Sequence, residues 1–429
     1  MPFTHHRLAL VLALALSATS LPYAQARGDI EYAPYTSHPY DAIDDNWLQK
    51  PPQQAAPVKG DLTGQATSYN GLQIAKVLEP ALMGLLEPDD LDSQDLKDLE
   101  TLTDTLSKHP GGIGAILEQL AGSQNANLAA ATQNATQQLG TQLLSTLRTL
   151  PTDDNGHFWA QGLGNDASLD KQRGSAGLKY GTQGLLLGAD WALDHAWRVG
   201  VMGAKSTSHF DAKRFSADVD SWHLGGYAVR QDGPLALRLG AVYSDHTGQN
   251  KRNVTLFEYK EQLKGNYNAQ SQTVFSELGY LLGSEDLYME PFAGLGFQRY
   301  HRDSFKETGG LAALNVGSQT QKNLSSTFGL RLATVYHFDN RMSLTPHLST
   351  SWKHLYGEVE SQVRQSSRAA PLIDAFTITG TSLDRNSLDL QTGLDLALST
   401  QHSVGLTYSA QAGTNSRSQG LMGQWKMSF

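Results

Sequence analysis

Alternating apolar and polar side chains dominate the chain from His157 onward. Side chains of a β-strand point alternately to two faces, so this period of two predicts strands with one apolar face. Each alternating segment is about ten residues long, the length of a tilted strand that crosses a bilayer. We predict twelve strands, which begin near Phe158, Gln183, Trp197, Ser221, Leu235, Gln272, Leu287, Leu324, Met342, Leu388, Val404 and Gly420.

The connections between these strands alternate in length. Short turns are predicted near 194–195, 231–233, 283–285, 339–340 and 400–401. Longer loops are predicted near 165–178, 208–217, 247–267, 301–320, 355–387 and 412–419. Outer-membrane barrels have short periplasmic turns and longer outer loops. The pattern therefore favours an all-β transmembrane barrel, antiparallel and twelve-stranded, over a soluble β-sandwich, whose strands are shorter and more evenly spaced.

The last ten residues form the twelfth of these strands, which runs to the terminal carboxylate. Its apolar positions are Leu421, Trp425, Met427 and Phe429. An exposed apolar edge invites aggregation in a soluble domain. In a closed barrel, the same strand pairs with the first strand and turns its apolar face to lipid.

Residues 71–150 have helical spacing instead. Leucines and isoleucines predict one helix between Leu72 and Leu85 and a second between Leu96 and Leu106, ending near Pro110. A third stretch, 129–150, is rich in Ala, Thr, Gln and Asn, and as a helix it would be about 33 Å long. It fits a helix in the pore of a barrel, and it equally fits an amphipathic helix packed on a soluble core through a leucine stripe.

The N-terminus is typical of an exported protein. Arg7 precedes an apolar run from Leu8 to Leu16, which is too short for a membrane anchor. Small residues follow, and we expect a signal peptide over residues 1–26, with Ala24 and Ala26 at the cleavage site. Residues 27–70 contain several prolines and no long apolar run, so we expect them to be disordered.

Composition narrows the function further. The chain has no cysteine, so neither disulfides nor thiolate metal sites are expected. Its formal charge of −9 argues against nucleic-acid binding. Its mean hydropathy of −0.37 is compatible with a membrane barrel, because only alternate residues face lipid. We expect no cofactor and no metal.

Charged residues occupy the non-lipid face of the predicted strands. This face suits a hydrated channel that holds a polar segment, although any wide barrel has a polar interior. The predicted pore-lining residues are Arg238, Glu277, Glu290, Arg331, Lys353, Asp395 and Lys426.

We find no sequence motif for catalysis, neither a G-x-S-x-G elbow nor H-E-x-x-H, and we expect no enzyme activity. A loop-borne hydrolase site would have to be assembled from residues without diagnostic spacing, such as His209, Asp211, Asp245, His246 and His301. Lys251 and Arg252 fit either a solvated loop or contact with lipopolysaccharide phosphates.

Taken together, residues 157–429 resemble the C-terminal β-domain of classical autotransporters, the type V secretion proteins. The segments that carry the resemblance are Phe158-Trp159-Ala160-Gln161-Gly162, Gly184-Leu185-Leu186-Leu187-Gly188-Ala189-Asp190, Ser221-Trp222-His223-Leu224-Gly225-Gly226-Tyr227, Leu237-Arg238-Leu239-Gly240-Ala241, Val274-Phe275-Ser276-Glu277-Leu278-Gly279-Tyr280, Glu290-Pro291-Phe292-Ala293-Gly294-Leu295, Phe328-Gly329-Leu330-Arg331 and Gly393-Leu394-Asp395-Leu396-Ala397-Leu398.

The resemblance implies an outer-membrane barrel with one helix in its pore, here about 129–150, within a helical linker over 71–156. It implies that the barrel-assembly machinery reads the terminal strand and that periplasmic chaperones escort the chain. It also implies export of an N-terminal passenger, of which 27–70 is a short remnant. The Asn-Asn junction that some members use for self-cleavage is absent, since Asn125, Asn127 and Asn134 are isolated.

Our hypothesis is a monomeric translocator that lies among outer-membrane lipid and lipopolysaccharide and holds its own N-terminal segment in the pore. Two alternatives remain at this stage. One is a structural or porin-like barrel that has lost its cargo. The other is a surface adhesin that acts through residues 27–125 and the long outer loops.

Overall fold

The computed structural model describes residues 62–85, 108–151, 153–172, 175–256, 259–284, 286–338, 342–370 and 374–429. The predicted signal peptide with Ala24 and Ala26, most of 27–70 and the predicted helix at 96–106 lie outside these residues. The described part contains three helices: α1 (Tyr69–Leu85), α2 (Gly112–Ala121) and α3 (Gln124–Arg148). No helix in these ranges is long and apolar enough to span a membrane.

Twelve long antiparallel strands form one closed ring, as the alternation predicts. Strand β1 pairs with β18, and the register places His157 opposite Ser428 and Leu169 opposite Ser416. The ring strands are β1 (His157–Leu169), β2 (Leu178–Ala192), β3 (Trp197–Ala212), β4 (Phe215–Asp232), β5 (Leu235–Leu256), β6 (Tyr259–Tyr280), β8 (Leu287–Arg302), β11 (Gln319–Thr334), β13 (Ser343–Gly357), β16 (Asn386–Ala397), β17 (His402–Gly413) and β18 (Ser416–Ser428).

Alternate side chains of the ring face outward and remain exposed in the isolated chain. They include Leu185, Leu187, Leu224, Val274, Leu295, Phe328, Leu388 and Leu421. This apolar outer surface is what a lipid-facing barrel requires. The short turns lie at one end of the barrel, together with the start of β1 and the end of β18. We call this end the inner end. The long hairpins lie at the opposite, outer end.

The sequence predicts the inner ends of the strands better than the outer ends. Strands that start at the inner end begin where predicted or within a residue or two, as at Trp197 and Leu235. Strands that start at the outer end begin earlier than predicted: β6 begins at Tyr259 rather than Gln272, and β4 at Phe215 rather than Ser221. Beyond the apolar belt the outward face becomes polar, and the inward face carries both polar residues and apolar ones such as Phe215 and Val219. The alternation of the belt therefore ends while the strand pairing continues. The predicted loop at 247–267 is therefore mostly strand.

The outer end carries a small folded cap. Four short strands form its sheet in the order β15-β14-β10-β9. The cap strands are β9 (Phe305–Lys306), β10 (Leu314–Val316), β14 (Gln362–Ser367) and β15 (Phe376–Thr379), and two-residue strands β7 (Leu282–Gly283) and β12 (Tyr336–His337) lie at the inner end.

Helices α1 and α2 pack on this sheet and on the outer end of the barrel wall through one shared apolar core. Ile74, Ile113 and Leu117 are buried against the same cluster as Phe376 and Ile378. The side chain of Asn70 pairs with the edge of β15: its Nδ2 donates to the carbonyl of Thr379, and its Oδ1 accepts from the Thr379 N–H, both at 2.8 Å. Helix α2 lies within the predicted helical linker, but no separate helix was predicted at this place, since Gly111 and Gly112 suggest a helix end. With φ of 91° and 66°, these two glycines instead form the turn into α2.

Candidate transport pore

Helix α3 runs through the lumen of the ring from the outer end to the inner end. It begins at Gln124, earlier than the predicted residue 129, and its 25 residues correspond to a length of about 37 Å. The structure combines one feature of each interpretation of this segment. The helix is in the pore, and its leucine stripe (Leu139, Leu143 and Leu147) packs on the inner barrel wall beside Trp159 and Phe275.

Most of the predicted pore charges lie buried around the end of α3. Glu277 accepts from Arg148 Nε at 2.9 Å and pairs with Arg238 Nη1 at 3.0 Å. Arg238 Nη1 also donates to Glu290 Oε1 at 2.7 Å, and Arg331 lies 3.6 Å from the other Glu290 oxygen. Together they form an interleaved set of three arginines and two glutamates that fixes the last turn of the helix to the wall.

The place of Arg148 in this network was not predicted, because the sequence does not reveal which way a pore helix is rotated. Arg148 also lies over the Phe292 ring, with its guanidinium carbon 4.6 Å from the ring centroid. A cation at a helix C-terminus is additionally favoured by the helix dipole. One side chain thus meets a carboxylate, an aromatic face and the helix dipole.

The three remaining predicted pore residues also face the lumen, each with its own partners. Lys426 donates to the carbonyl of Thr149 at 2.7 Å, just past the end of α3. Asp395 pairs with His347 at 3.4 Å. Lys353 lines a narrow cavity of about 110 Å³ between α3 and the wall, together with Asp389 and Thr141.

A second polar network fixes the chain between α3 and β1. Asp190 is fully buried and accepts from Arg198 Nε at 2.9 Å and from the Tyr227 hydroxyl at 3.1 Å. Arg198 also donates to the carbonyls of Asp153 and Asn155, each at 2.5 Å. The linker is therefore held against the inner end of the wall, where the chain turns from the pore helix into the barrel.

The outer end of α3 is held by side chains of the outer strands and the cap. Asn125 donates to Gln365 at 2.9 Å and accepts from Asn250 at 2.9 Å. The carbonyl of Asn125 accepts from Arg302 Nη1 at 2.8 Å. Asn127 accepts from the backbone N–H of Thr381 at 2.6 Å. We call these contacts the outer clamp.

Arg252 joins the cap to the barrel and is not in a solvated loop. Its guanidinium makes a bidentate pair with Glu307, at 3.1 Å and 2.5 Å, and both side chains are almost fully buried. Its Nη1 also donates to the carbonyl of Gln119 in α2, at 2.8 Å. The sequence interpretation of Arg252 as a lipopolysaccharide or solvent contact is therefore wrong. Lys251, its neighbour on β5, faces outward.

The residues considered for a loop-borne hydrolase are not brought together. His209 faces outward and pairs with Asp218 at 2.7 Å. His301 also faces outward and bonds to Thr320. His246 points into the lumen between Ser221 and Ser271. In the ranges that the structure describes, no three His, Cys, Asp or Glu side chains are grouped to hold a metal.

Comparison with known proteins fits this geometry. A family model described as the autotransporter beta-domain matches residues 158–409. The chain belongs to the autotransporter family. The ring is therefore an outer-membrane translocator barrel, with the short turns on the periplasmic side and the cap on the cell surface.

One solved autotransporter has the same fold. The translocator domain of autotransporter NalP from Neisseria meningitidis matches with a TM-score of 0.56 at 15% identity, and the match covers 71% of this chain and 99% of that one. Two curated relatives from Serratia marcescens, each named extracellular serine protease, are 30% identical over 307 residues. The match covers 69% of this chain and only 29% of each relative.

Proposed function

We propose that this autotransporter exports the N-terminal part of its own chain and keeps it attached to the cell surface. The observation that carries this proposal is the direction of α3. Its C-terminus continues through Thr149 into β1 on the periplasmic side, and its N-terminus lies in the outer clamp. Helices α1 and α2 are thereby on the outer side. Export of the chain that precedes α3 is the simplest route to this arrangement.

Cysteine labelling tests the proposal, because the chain contains no cysteine of its own. Lys76→Cys puts a thiol on the exposed face of α1, and His195→Cys puts one in an exposed periplasmic turn. We expect a membrane-impermeant maleimide to label Lys76→Cys on intact cells and His195→Cys only after permeabilisation. Labelling of Lys76→Cys only in permeabilised cells would show that the N-terminal part is not exported.

We further propose that the barrel-assembly machinery recognises the terminal strand through its outward apolar side chains. Leu421, Trp425 and Phe429 are all exposed on the outer surface, and Met427 is half-exposed. The backbone of Phe429 already has a structural role, since its N–H and carbonyl bond to Gly156 at 2.9 Å and 3.2 Å. The ring of Phe429 lies against Gly156, but the residue is 59% exposed, so much of the ring is accessible for recognition.

Phe429→Ala separates the two roles, because it removes the ring and keeps the backbone bonds. We expect less heat-modifiable barrel in cells and unchanged folding of the purified chain into detergent, where no assembly machinery is present. An equal defect in both settings would mean that the ring stabilises the barrel and is not a recognition signal.

The matched β-domain is a transport domain, and we infer that the protease activity in the Serratia relatives' names resides outside the portion shared with this chain. The scattered positions of His209, His246 and His301 support this inference. Purified, folded protein should show no turnover of peptide or ester substrates. Turnover of either substrate would contradict the inference, whether or not it survives replacement of these three histidines.

A further inference from the structure

A pair of like charges stands just beyond the apolar belt on the outer surface of the barrel. On β6, β8 and β11, Val274, Phe297 and Leu324 lie side by side and are exposed. The next outward row toward the outer end consists of Gln272, Arg299 and Lys322. Arg299 and Lys322 are direct cross-strand partners. The two cations therefore lie side by side at the boundary between the hydrocarbon region and the lipid headgroups.

Nothing in the described ranges neutralises this pair. Like charges directly opposite each other destabilise a sheet. No ion pair joins either side chain to a carboxylate among the described residues. Asp303 is engaged by His301 at 3.4 Å, and Glu358 meets Lys322 through backbone atoms, with its N–H 3.4 Å from the Lys322 carbonyl. The pair therefore favours an anionic ligand supplied from outside the chain.

An apolar hollow borders the two cations, since its lining includes Phe297 and Leu324 from the row next to them. It has a volume of about 480 Å³ and is open on the lipid side. Small residues such as Gly226, Ala241 and Gly296 contribute to its lining, where they leave room between larger side chains. The larger lining residues are Leu239, Val274, Leu295, Phe297 and Leu324. Such a hollow accommodates a hydrocarbon chain, whose burial is favourable in proportion to the apolar area covered.

We propose that Arg299, Lys322 and this hollow together bind one phosphorylated glycolipid of the outer leaflet, that is, lipopolysaccharide. A lipid phosphate between the two cations makes charge-assisted hydrogen bonds, for which arginine is especially suited. An acyl chain of the same molecule fills the hollow. The strand register sets the distance between the cations and the hollow, since Arg299 lies two residues beyond Phe297 on the same face of β8. The site lies on the lipid face and takes no part in the pore.

The test measures how lipopolysaccharide stabilises the purified, delipidated, full-length barrel. Three proteins are compared: the unmodified chain, the double variant Arg299→Gln/Lys322→Gln and a control, Lys251→Gln/Lys264→Gln. The control removes another directly opposed, outward-facing lysine pair, which lies on β5 and β6 well beyond the apolar belt. Heat-modifiable migration verifies that each variant is folded.

We expect added lipopolysaccharide to raise the Tm of the unmodified chain and of the control in a concentration-dependent way. The double variant should show at least about tenfold weaker apparent affinity, because two charge-assisted contacts are lost. It should also be slightly more stable than the unmodified chain without lipid, since the like-charge pair is gone. Dephosphorylated lipopolysaccharide and inorganic phosphate should each give a much smaller shift.

Equal lipopolysaccharide stabilisation of all three proteins would overturn the proposal. So would an equal loss in the double variant and the control, because that result would show general attraction to surface cations. A full shift with inorganic phosphate alone would reduce the site to a simple anion site. If Arg299→Gln/Lys322→Gln does not fold, Arg299→Lys takes its place: it keeps both charges and loses the bidentate geometry, and an unchanged affinity would then count against a seated phosphate.

Discussion

Individual residues show what the strand pattern can and cannot predict. Because successive side chains of a strand alternate, the sequence predicts that Arg238, Glu277 and Glu290 face inward, and the structure places them there. The pattern does not reveal their partners. Arg148 comes from a helix whose rotation is set by packing, and Arg252 meets a carboxylate 55 residues away. Distant pairing of this kind leaves no local signal in the sequence.

Replacing Glu277 should be costly because it leaves buried charges without a partner. In Glu277→Gln, Arg148 and Arg238 lose their shared carboxylate and only Glu290 remains. We expect the free energy of unfolding to fall by about 3 kcal/mol. Urea unfolding in lipid vesicles, followed by tryptophan fluorescence, measures the change. As the control, Glu358→Gln removes an exposed carboxylate and should alter stability by less than about 0.5 kcal/mol. Similar small effects for both variants would contradict a structural role for the network.

The periplasmic turn between β2 and β3 gives a prediction about pH. Backbone N–H groups of Ala196 and Trp197 donate to Asp194 Oδ1, both at 2.8 Å, and these bonds lower the pKa of Asp194 below its ordinary value. The charged form is favoured in the folded turn, so its stabilisation is present above the unfolded-state pKa and is lost as pH falls through the folded-state pKa. Carbon-13 NMR should show a lower titration midpoint for this carboxyl in the folded barrel than in urea; an equal midpoint would rule out these bonds in solution.

For helices and strands, prediction from the sequence succeeds within the membrane-spanning belt and fails outside it. The apolar belt imposes alternation, so strand number, inner ends and turns are predictable. Outside the belt the outward face is polar and the inward face is mixed, so no clear period predicts the strands. β5 and β6 extend beyond their predicted bounds, to Leu256 and Tyr259. The cap was not predicted for another reason: its sheet combines two short strands from the loop after β8 with two from the loop after β13, and no local pattern indicates that pairing.

Removing Arg252 should loosen the cap and leave the ring intact. Arg252→Met keeps most of the side-chain volume and deletes the bonds to Glu307 and to the carbonyl of Gln119. External protease should then cleave the region of α2 several times faster in intact cells, while heat-modifiable migration stays normal. Arg364→Met removes an exposed arginine from the same cap sheet and should leave the cleavage rate unchanged. Unchanged cleavage in Arg252→Met would mean that apolar packing alone retains the cap.

For the whole molecule, the pore helix sets the permeability of the barrel. α3 fills most of the lumen, and a cavity of about 110 Å³ remains on its polar side. A helix with its side chains is about 10 Å across, so its removal opens a continuous aqueous path. Sequence alone left a porin-like barrel possible, because lumen charges are common to both types. The occupied lumen and the family match favour the translocator.

Planar-bilayer recordings test the plug directly. The unmodified chain should show small or absent conductance steps, and a variant that lacks residues 62–148 should show large, stable ones. The charges left on the wall, including Glu277 and Glu290, should also make the ion selectivity of the open pore depend on salt concentration. If both proteins conduct equally, α3 does not close the pore.

The outer clamp also makes sealing of the pore a property of the finished barrel. Its partners for Asn125 and Asn127 come from four separate parts of the ring and the outer loops: Asn250, Arg302, Gln365 and Thr381. The bonds between Gly156 and Phe429 likewise join the start of the first strand to the end of the last. The helix is therefore held at its outer end only when all these segments are in place, so the completed barrel seals the pore and no single segment does so alone.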